Sequence, residues 1–296
     1  MGKTREIKKR IKAVGNIRRI TKTMQMIATS KFARAQQLAV AGKPYSEALF
    51  ELVGQLASGL GDTTHPLLQP GRPGGKELSL VITSDRGLCG PYNGSVLRAF
   101  MAMLKANPNA RQGSIDAIGK KGVGFLKFAS VNVARVHTHF GDKPTYDKVR
   151  ALAEEYTQRF LSGEISSVRI VSMKYISAGR QAPAVMQLLP FQTPAISKAQ
   201  ASAQAKTTTT EQIYEFTPSA AELLNDLLPA AVKSLLFQAF NDAIVSEHVA
   251  RMVAMKAATD NAGKAGKKYT RIFNRARQAQ ITTELTEIIS GAAALE

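Results

Sequence analysis

SEHVARMVAMKAATDNAGKAGKKYTRIFNRARQAQITTELTEIISGAAALE, residues 246–296, is the stretch that decides the fold of this chain. Its pattern predicts one long helix that is apolar along a narrow stripe, basic elsewhere and almost without aromatic side chains. The spacing of four and three residues is typical of a coiled-coil seam, whereas the buried face of a globular-core helix is wider. The stripe consists of Val245, Val249, Met252, Lys256 and Thr259, and then of Ile281, Leu285, Ile288, Ala292 and Leu295.

The N-terminal segment supplies a second seam that matches the first. Basic side chains separate its apolar residues, which are Ile7, Ile11, Val14, Ile20, Met24 and Ile27. We predict a helix over residues 3–58, in which Gly42 and Pro44 either bend the helix or break it briefly. Because the two seams lie at opposite ends of the chain, they pair antiparallel only if the middle folds back between them.

The balance of charge indicates the chemistry of the partners. The 296 residues include 40 Lys and Arg against 22 Asp and Glu, which gives a formal net charge of +18. Residues 1–40 hold eleven of the basic residues and a single acidic one, Glu6. Such an excess favours an acidic partner, which is nucleic acid, anionic lipid or an acidic protein surface. The first helix is therefore the expected contact surface.

Cysteine content and hydropathy restrict the compartment. Cys89 is the only cysteine, which excludes an intrachain disulfide and fits a reducing environment. The sequence has no apolar run of about eighteen residues, and its basic N-terminus lacks the apolar block of a signal peptide. We expect no membrane span, so that association with a membrane goes through a partner.

The central part of the chain changes to short β-branched runs that alternate with helical stretches. Strands are predicted at residues 78–83, 115–119, 131–136, 168–176 and 184–191, and helices at 93–106, 121–129 and 145–162. This alternation predicts a doubly wound, mostly parallel sheet, which is a Rossmann-like α/β domain.

Three domains follow from these patterns. They are an N-terminal coiled-coil helix at residues 1–60, a central α/β domain at 76–194 and a C-terminal coiled-coil helix at 211–296. Residues 195–210 are rich in Ala, Gln, Ser, Lys and Thr, a composition typical of a tether. Thr217 as N-cap and Pro218 at the first helical position are expected to begin the last helix.

The segment Ser84–Gly90, SDRGLCG, lies between a predicted strand and a predicted helix, where α/β folds place phosphate-binding loops. It contains neither GxGxxG nor the Gly-Lys-Ser of a P-loop, so a structural turn is favoured over a nucleotide site. Asp85 and Arg86 are then expected to make turn or partner contacts.

The sequence contains no complete pattern for a metal site or a catalytic site. His137 and His139 lie on one face of an extended segment, but no nearby Cys or His cluster completes a metal site with four ligands. No Cys-His-Asn arrangement accompanies Cys89, and neither Ser-His-Asp chemistry nor a pair of catalytic carboxylates stands out. We therefore predict no catalytic residue, no metal and no cofactor.

The basic run at residues 8–12, followed by Arg18 and Arg19, leaves three interpretations open. It is a surface for nucleic acid, a solvated helix face or a surface for a protein partner. Aromatic side chains for base stacking are missing before Phe32, which weighs against binding of single-stranded nucleic acid.

Three long segments resemble the gamma subunit of F-type ATP synthases. They are residues 7–31, IKKRIKAVGNIRRITKTMQMIATSK, residues 82–90, ITSDRGLCG, and residues 247–295, which contain EHVARMVAMKAATDNA and FNRARQAQITTELTEIISGAAAL. The resemblance implies an antiparallel coiled coil inserted into a ring of three alpha and three beta subunits, with the α/β domain beside its base. It also implies docking on the epsilon subunit and on the ring of membrane-embedded c subunits.

The resemblance further implies contact residues. Those expected to meet the beta subunits are Lys22 and Met24, at acidic lever tips, and Arg251, Gln278, Thr282 and Glu284, at catch loops. Tyr214 and Glu215 match the segment at the foot that meets the c-ring loops. The chain departs from the family pattern at Pro91, where glycine is usual, and at residues 263–268, GKAGKK, where a more apolar and acidic stretch is usual.

The function that the resemblance implies is mechanical. A non-catalytic rotor shaft couples proton flow through the membrane sector to ATP synthesis in the beta subunits, and it is peripheral at the cytoplasmic face of a bacterial inner membrane. The alternative from a different class is a basic coiled-coil protein that binds nucleic acid.

Overall fold

The computed structural model describes residues 2–59, 65–138, 140–141, 144–192 and 219–293. The helices are α1 (Gly2–Gly59), α2 (Tyr92–Ala106), α3 (Pro108–Gln112), α4 (Lys120–Phe128), α5 (Tyr146–Leu161) and α6 (Ala220–Ala293). The strands are β1 (Lys76–Ile82), β2 (Ser114–Ile118), β3 (Arg135–His137), β4 (Ile165–Ser177) and β5 (Arg180–Leu189). The chain forms two compact units, one of residues 1–30 with 251–296 and the other of residues 31–250.

The first unit, here called the helical pair, consists of the beginning of α1 and the end of α6. The Thr4 hydroxyl donates to Oε1 of Gln280 at 3.0 Å, and the side-chain oxygens of Thr21 and Thr259 lie 2.8 Å apart. Residue numbers thus rise on one helix as they fall on the other. The predicted antiparallel coiled coil of the terminal helices is confirmed.

The seam of the helical pair differs in part from the predicted seam. Buried or half-buried positions on α1 include Ile7, Ile11, Val14, Thr21, Met24 and Ala28, and on α6 they include Met252, Met255, Thr259, Ala262, Gly266, Tyr269, Phe273, Ala276 and Gln280. Ile20, Ile27 and Lys256 are exposed, so their assignment to the seam was wrong. The step from Val14 to Ile20 is six residues, and it breaks the alternation of three and four that a coiled coil requires.

The predicted stripe at the end of α6 is also exposed. Ile281 is 55%, Leu285 56% and Ile288 69% exposed. Thr4 lies opposite Gln280 and α1 begins at Gly2, so α1 is too short to cover the residues beyond Gln280. Ala292 is exposed as well, and Leu295 lies outside the described residues.

The second unit contains a mixed sheet between helical layers. The strand order is β3-β2-β1-β4-β5, in which only the β4–β5 pairing is antiparallel. Alternate residues of β1 enter different cores: Leu78, Leu80 and Ile82 pack with α1, α5 and α6, whereas Val81 packs with α2. The predicted Rossmann-like α/β domain is confirmed.

Several boundaries differ from the sequence-based expectation. β3 spans three residues because the N–H of Val131 bonds to the carbonyl of Leu126 at the end of α4, which keeps residues 131–134 out of the strand. The short helix α3 was not predicted, and α1 continues through Gly42 and Pro44. The tether at 195–210, Thr217 and Pro218 lie outside the described residues. Ser219 caps α6, because its hydroxyl accepts a bond from the N–H of Glu222 at 3.4 Å.

Candidate partner-binding surface of the helical pair

The end of α6 exposes apolar side chains along one face of the helix. Ile281, Leu285, Ile288 and Ile289 are all exposed in the helical pair. An exposed apolar patch on a charged helix marks a contact with another macromolecule. We call the region from Ile281 to the last described residue of α6 the apolar tip.

Three of the four predicted catch-loop residues lie in or just before the apolar tip, on two faces of α6. Gln278 and Thr282 are four residues apart and share a face, and the Thr282 hydroxyl donates to the carbonyl of Gln278 at 3.0 Å. Glu284 lies on another face, where its Oε1 accepts a bond from Nε2 of Gln280 at 2.7 Å. Gln278, Thr282 and Glu284 are exposed, which leaves their side chains accessible to a partner.

The other three predicted contact residues, two for the lever tips and Arg251 for a catch loop, lie nearer the other end of the helical pair. Lys22 is exposed, whereas Met24 and Arg251 are half-buried. Because Thr21 is opposite Thr259, Arg251 is level with Thr29 of α1. Arg251 and Gln278 are 27 residues apart on one helix, about 40 Å at the ordinary helical rise. The six predicted residues therefore form two separate groups.

Lys22 and Met24 lie on α1, which is strongly basic, whereas Arg251 lies on α6. Lys8, Lys9, Lys12, Arg19 and Lys22 are exposed along α1. Glu6 pairs with Arg10 at 2.6 Å, and both side chains are more than half exposed. One such surface pair offsets little of the local positive charge, so this face attracts acidic groups in a salt-dependent way.

At the place where related folds bind phosphate, the N–H groups of the α/β domain donate to oxygen atoms of the chain itself. The N–H groups of Lys120 and Lys121, at the start of α4, donate to Oδ1 of Asp85 and to the carbonyl of Ser84, both at 3.1 Å. The N–H of Gly122 donates to Oγ1 of Thr83 at 3.0 Å. Donors that would hold a phosphate are therefore already bonded. This geometry supports the structural turn that the sequence favoured.

The end of the Ser84–Gly90 loop is held by further contacts within the domain. Cys89 is buried, and Nδ2 of Asn93 donates to its Sγ at 3.2 Å. Pro91 occupies the N-cap of α2 with φ −79°, an angle that proline adopts without strain. Its carbonyl accepts the N–H of Ser95 at 2.8 Å. The replacement of the usual glycine is thus accommodated within the loop.

His137 belongs to a buried hydrogen-bonded cluster. Oδ2 of Asp116 accepts a bond from the hydroxyl of Tyr156 at 2.8 Å and lies 3.3 Å from Nε2 of His137. His139, which was considered with His137 as a possible metal ligand, lies outside the described residues. Within the described ranges, no three His, Cys, Asp or Glu side chains are grouped so that they could hold a metal ion.

One surface was missed at the sequence level. In the α/β unit, α1 exposes a row spaced by three and four residues, which consists of Leu38, Ala41, Tyr45, Ala48 and Leu52. It lies beside the buried row that includes Ala39, Ser46, Leu49 and Val53. The signal was the same heptad spacing that revealed the terminal seams.

Comparison with known proteins defines the class. The family model described as ATP synthase matches residues 3–295. A rotor chain in the structure of the mitochondrial ATP synthase of Euglena gracilis has the same fold, with a TM-score of 0.65 at 17% identity, covering 95% of this chain and 99% of that one.

Curated relatives narrow the class further. An ATP synthase gamma chain from Rhodopirellula baltica is 40% identical over 300 residues, and one from Desulfitobacterium hafniense is 38% identical over 296 residues. Both matches cover the whole of both chains. This chain belongs to the family of ATP synthase gamma chains. No finding supports the alternative of a nucleic-acid-binding protein.

Two further observations concern the membrane side. No helix in the described ranges is long and apolar enough to cross a bilayer. Tyr214 and Glu215, the predicted contacts with the c-ring, lie outside the described residues, and their role stays a prediction.

Proposed function

We propose that this chain is the central rotor shaft of a proton-driven ATP synthase. The observation that carries the proposal is the antiparallel helical pair, in which a basic lower part is followed by an exposed apolar tip. Sequence identities of 40% and 38% to ATP synthase gamma chains, over the full length of the chains, support the same role. The shaft holds no catalytic residue, and ATP is made in the beta subunits.

The asymmetry of the shaft explains how it would act. A single rod inside three alpha and three beta subunits presents different side chains to each beta subunit at a given angle. Each beta subunit is then biased toward a different conformation and nucleotide affinity, and rotation exchanges these states. The apolar tip suits a sleeve in which it turns, because hydrophobic and dispersion contacts are not directional.

The proposed partners extend to the membrane sector. The foot of the shaft docks on the epsilon subunit and on the c-ring, so that membrane association is indirect. The gamma chain is then peripheral at the cytoplasmic face of the bacterial inner membrane, in keeping with the bacterial source of the relatives.

The experiment is the steady-state ATPase of a reconstituted alpha-beta-gamma complex. Arg251→Glu and Gln278→Ala are expected to lower assembly or turnover about tenfold, the effect of losing a contact of about 1.4 kcal/mol. Lys264→Glu and Asn274→Ala change exposed positions of the same helix and serve as matched controls. Rates equal to wild type in both test variants, with assembly intact, would refute these contact assignments.

Coupling is tested separately at Met24. Met24→Lys adds a cation that would bind an acidic lever more tightly, so proton pumping is expected to fall more than ATP hydrolysis does. Met26→Lys places the same charge at an exposed position two residues away. An unchanged ratio of pumping to hydrolysis in Met24→Lys contradicts the lever contact.

A further inference from the structure

Asp242 is a buried acid at the place where β4 meets α1 and α6 within the α/β unit. Its side chain is 6% exposed, and Ser246, one helical turn later, is fully buried. The end of β4 packs here through Tyr175, which joins an apolar cluster with Ala39 of α1 and Val245 of α6. Three elements therefore enclose one carboxyl group.

The groups that face this carboxyl come from the other two elements. The backbone N–H of Tyr175 donates to it, and the ammonium groups of Lys43 on α1 and Lys174 on β4 act on it through their charge. Within the described part of the chain, Oδ1 of Asp242 and Oγ of Ser246 are buried without a hydrogen-bond partner. The site thus stabilises a negative charge incompletely.

Burial outweighs the favourable contacts. Desolvation raises the pKa of Asp242 from its ordinary value to about 6, although Lys43, the Tyr175 N–H and Lys174 each lower it. Because the pKa is higher in the folded chain than in the unfolded one, the folded chain binds the proton more tightly. The associated stability is complete below about pH 4 and is lost as the pH rises through about 6.

We propose that protonation of Asp242 controls how tightly the end of β4 docks on α1 and α6. The neutral acid suits the buried position, and its O–H supplies a donor beside the hydroxyl of Ser246. The carboxylate requires water or a closer approach of Lys43 and Lys174, and either change loosens the packing of Tyr175. Docking at this junction therefore tightens as the pH falls. The inference concerns the fold of the chain and does not depend on the rotor role.

Denaturation by urea tests the proposal on the full chain between pH 4.5 and 8. Asp242→Asn mimics the neutral acid, so its folding equilibrium constant relative to wild type is expected to rise about 25-fold between pH 4.5 and 8. Asp226→Asn removes an exposed acid from the same helix and is expected to follow the wild-type curve. A constant ratio of Asp242→Asn to wild type at all pH values overturns the proposal.

Hydrogen exchange of the wild-type chain provides a second measurement that needs no variant. After correction for the intrinsic rate, protection of residues 172–177 in β4 is expected to fall several-fold as the pH rises from 5 to 7.5. Protection of β1, the central strand, is expected to fall no more than the global unfolding equilibrium measured by urea does, since core strands exchange by global unfolding. If protection of residues 172–177 does not fall over this pH range, the proposal is wrong even where Asp242→Asn does not fold.

Discussion

The side-chain oxygen of Thr21 lies 2.8 Å from that of Thr259, and both threonines are buried in the seam between α1 and α6. Each hydroxyl is also within bonding distance of a carbonyl of its own helix, Ile17 for Thr21 and Met255 for Thr259. Sliding one helix along the other would separate the two hydroxyls. A single polar pair of this kind specifies the register of a coiled coil. Here the register determines how far the apolar tip projects beyond α1.

Thr21 and Thr259 are therefore expected to be energetically coupled. Thr21→Val alone leaves the Thr259 hydroxyl without its cross-helix partner and should cost about 1 kcal/mol, whereas Thr21→Val with Thr259→Val should recover most of that loss. The measurement is a double-mutant cycle by urea unfolding of the full chain. Thr23→Val is the control, since Thr23 is exposed and its hydroxyl donates to the carbonyl of Arg19 in its own helix. Strictly additive single effects would show that the pair carries no coupling.

A cleft in the helical pair has room for larger side chains, and filling it is expected to stabilise the pair. Its volume is about 510 Å³, and its lining includes Val14, Gly263 and Gly266. A Cβ added at Gly263 would lie 3.6 Å from Nε of Arg18, and one at Gly266 would lie 3.9 Å from Cγ1 of Val14. Both are ordinary contacts, so alanine fills space without strain.

Gly263→Ala and Gly266→Ala are each expected to stabilise the helical pair by about 1 kcal/mol, mainly because alanine is the better helix former. The measurement is the thermal midpoint of the full chain. Gly124→Ala is the control for helix propensity alone, at an exposed glycine of α4 where an added Cβ meets no other atom within 4 Å. A lower midpoint for Gly266→Ala would mean that the two helices need this close approach.

Periodicity predicted the pairing of the termini but not its register. The stripe of three and four residues is a local property, so it identified the helices and their antiparallel arrangement. The choice between Ile20 and Thr21 depended on a contact with Thr259, 238 residues away, and hydrophobicity alone favoured the wrong residue. Likewise, the ends of β3 and β5 depend on neighbours that a local pattern does not contain. From the sequence, Asp242 is only an acid within an apolar stretch of helix, because its burial depends on β4 and α1 packing against it.

The hydrogen bond that Asp85 accepts at the start of α4 tests the interpretation of the Ser84–Gly90 loop as a structural turn. Asp85→Ala removes the acceptor for the N–H of Lys120 and is expected to lower stability by about 1 kcal/mol, as for loss of a helix cap. Asp85→Asn keeps an acceptor oxygen and is expected to lose less. Equilibrium dialysis of the wild-type chain with ATP or NAD is expected to show no binding, and saturable binding would contradict the interpretation of this loop as a turn.

The cluster around Asp116 predicts a pH dependence of the opposite sign to that at Asp242. Burial alone would raise the pKa of Asp116, but hydrogen bonds from His137 and Tyr156 and the charge of Arg135 outweigh burial and lower it. Its stabilising contribution is therefore present above about pH 4 and is lost as the pH falls further.

Tyr156→Phe removes one of these hydrogen bonds from a fully buried carboxylate. We expect a loss of about 1–3 kcal/mol at neutral pH, which shrinks only as the pH falls below about 4 and through the lowered pKa of Asp116. Urea unfolding at several pH values measures this difference. Tyr146→Phe, at an exposed position of the same helix, is the control. A loss that is independent of pH would assign the effect to packing and not to the hydrogen bond.

The apolar tip gives the most direct test of assembly. Ile288 is 69% exposed, so Ile288→Glu should leave the fold of the isolated chain unchanged. Inside an apolar sleeve of partner subunits, however, the new carboxylate would lose its water without gaining a cation, a cost of several kcal/mol. We therefore expect at least a tenfold lower yield of the alpha-beta-gamma complex by size-exclusion chromatography. Phe128→Glu introduces the same charge at a residue of α4 that is 86% exposed, and it is expected to assemble normally. If Ile288→Glu assembles as well as Phe128→Glu, the tip does not enter an apolar sleeve, because burial of an unpaired carboxylate at that position would have been too costly.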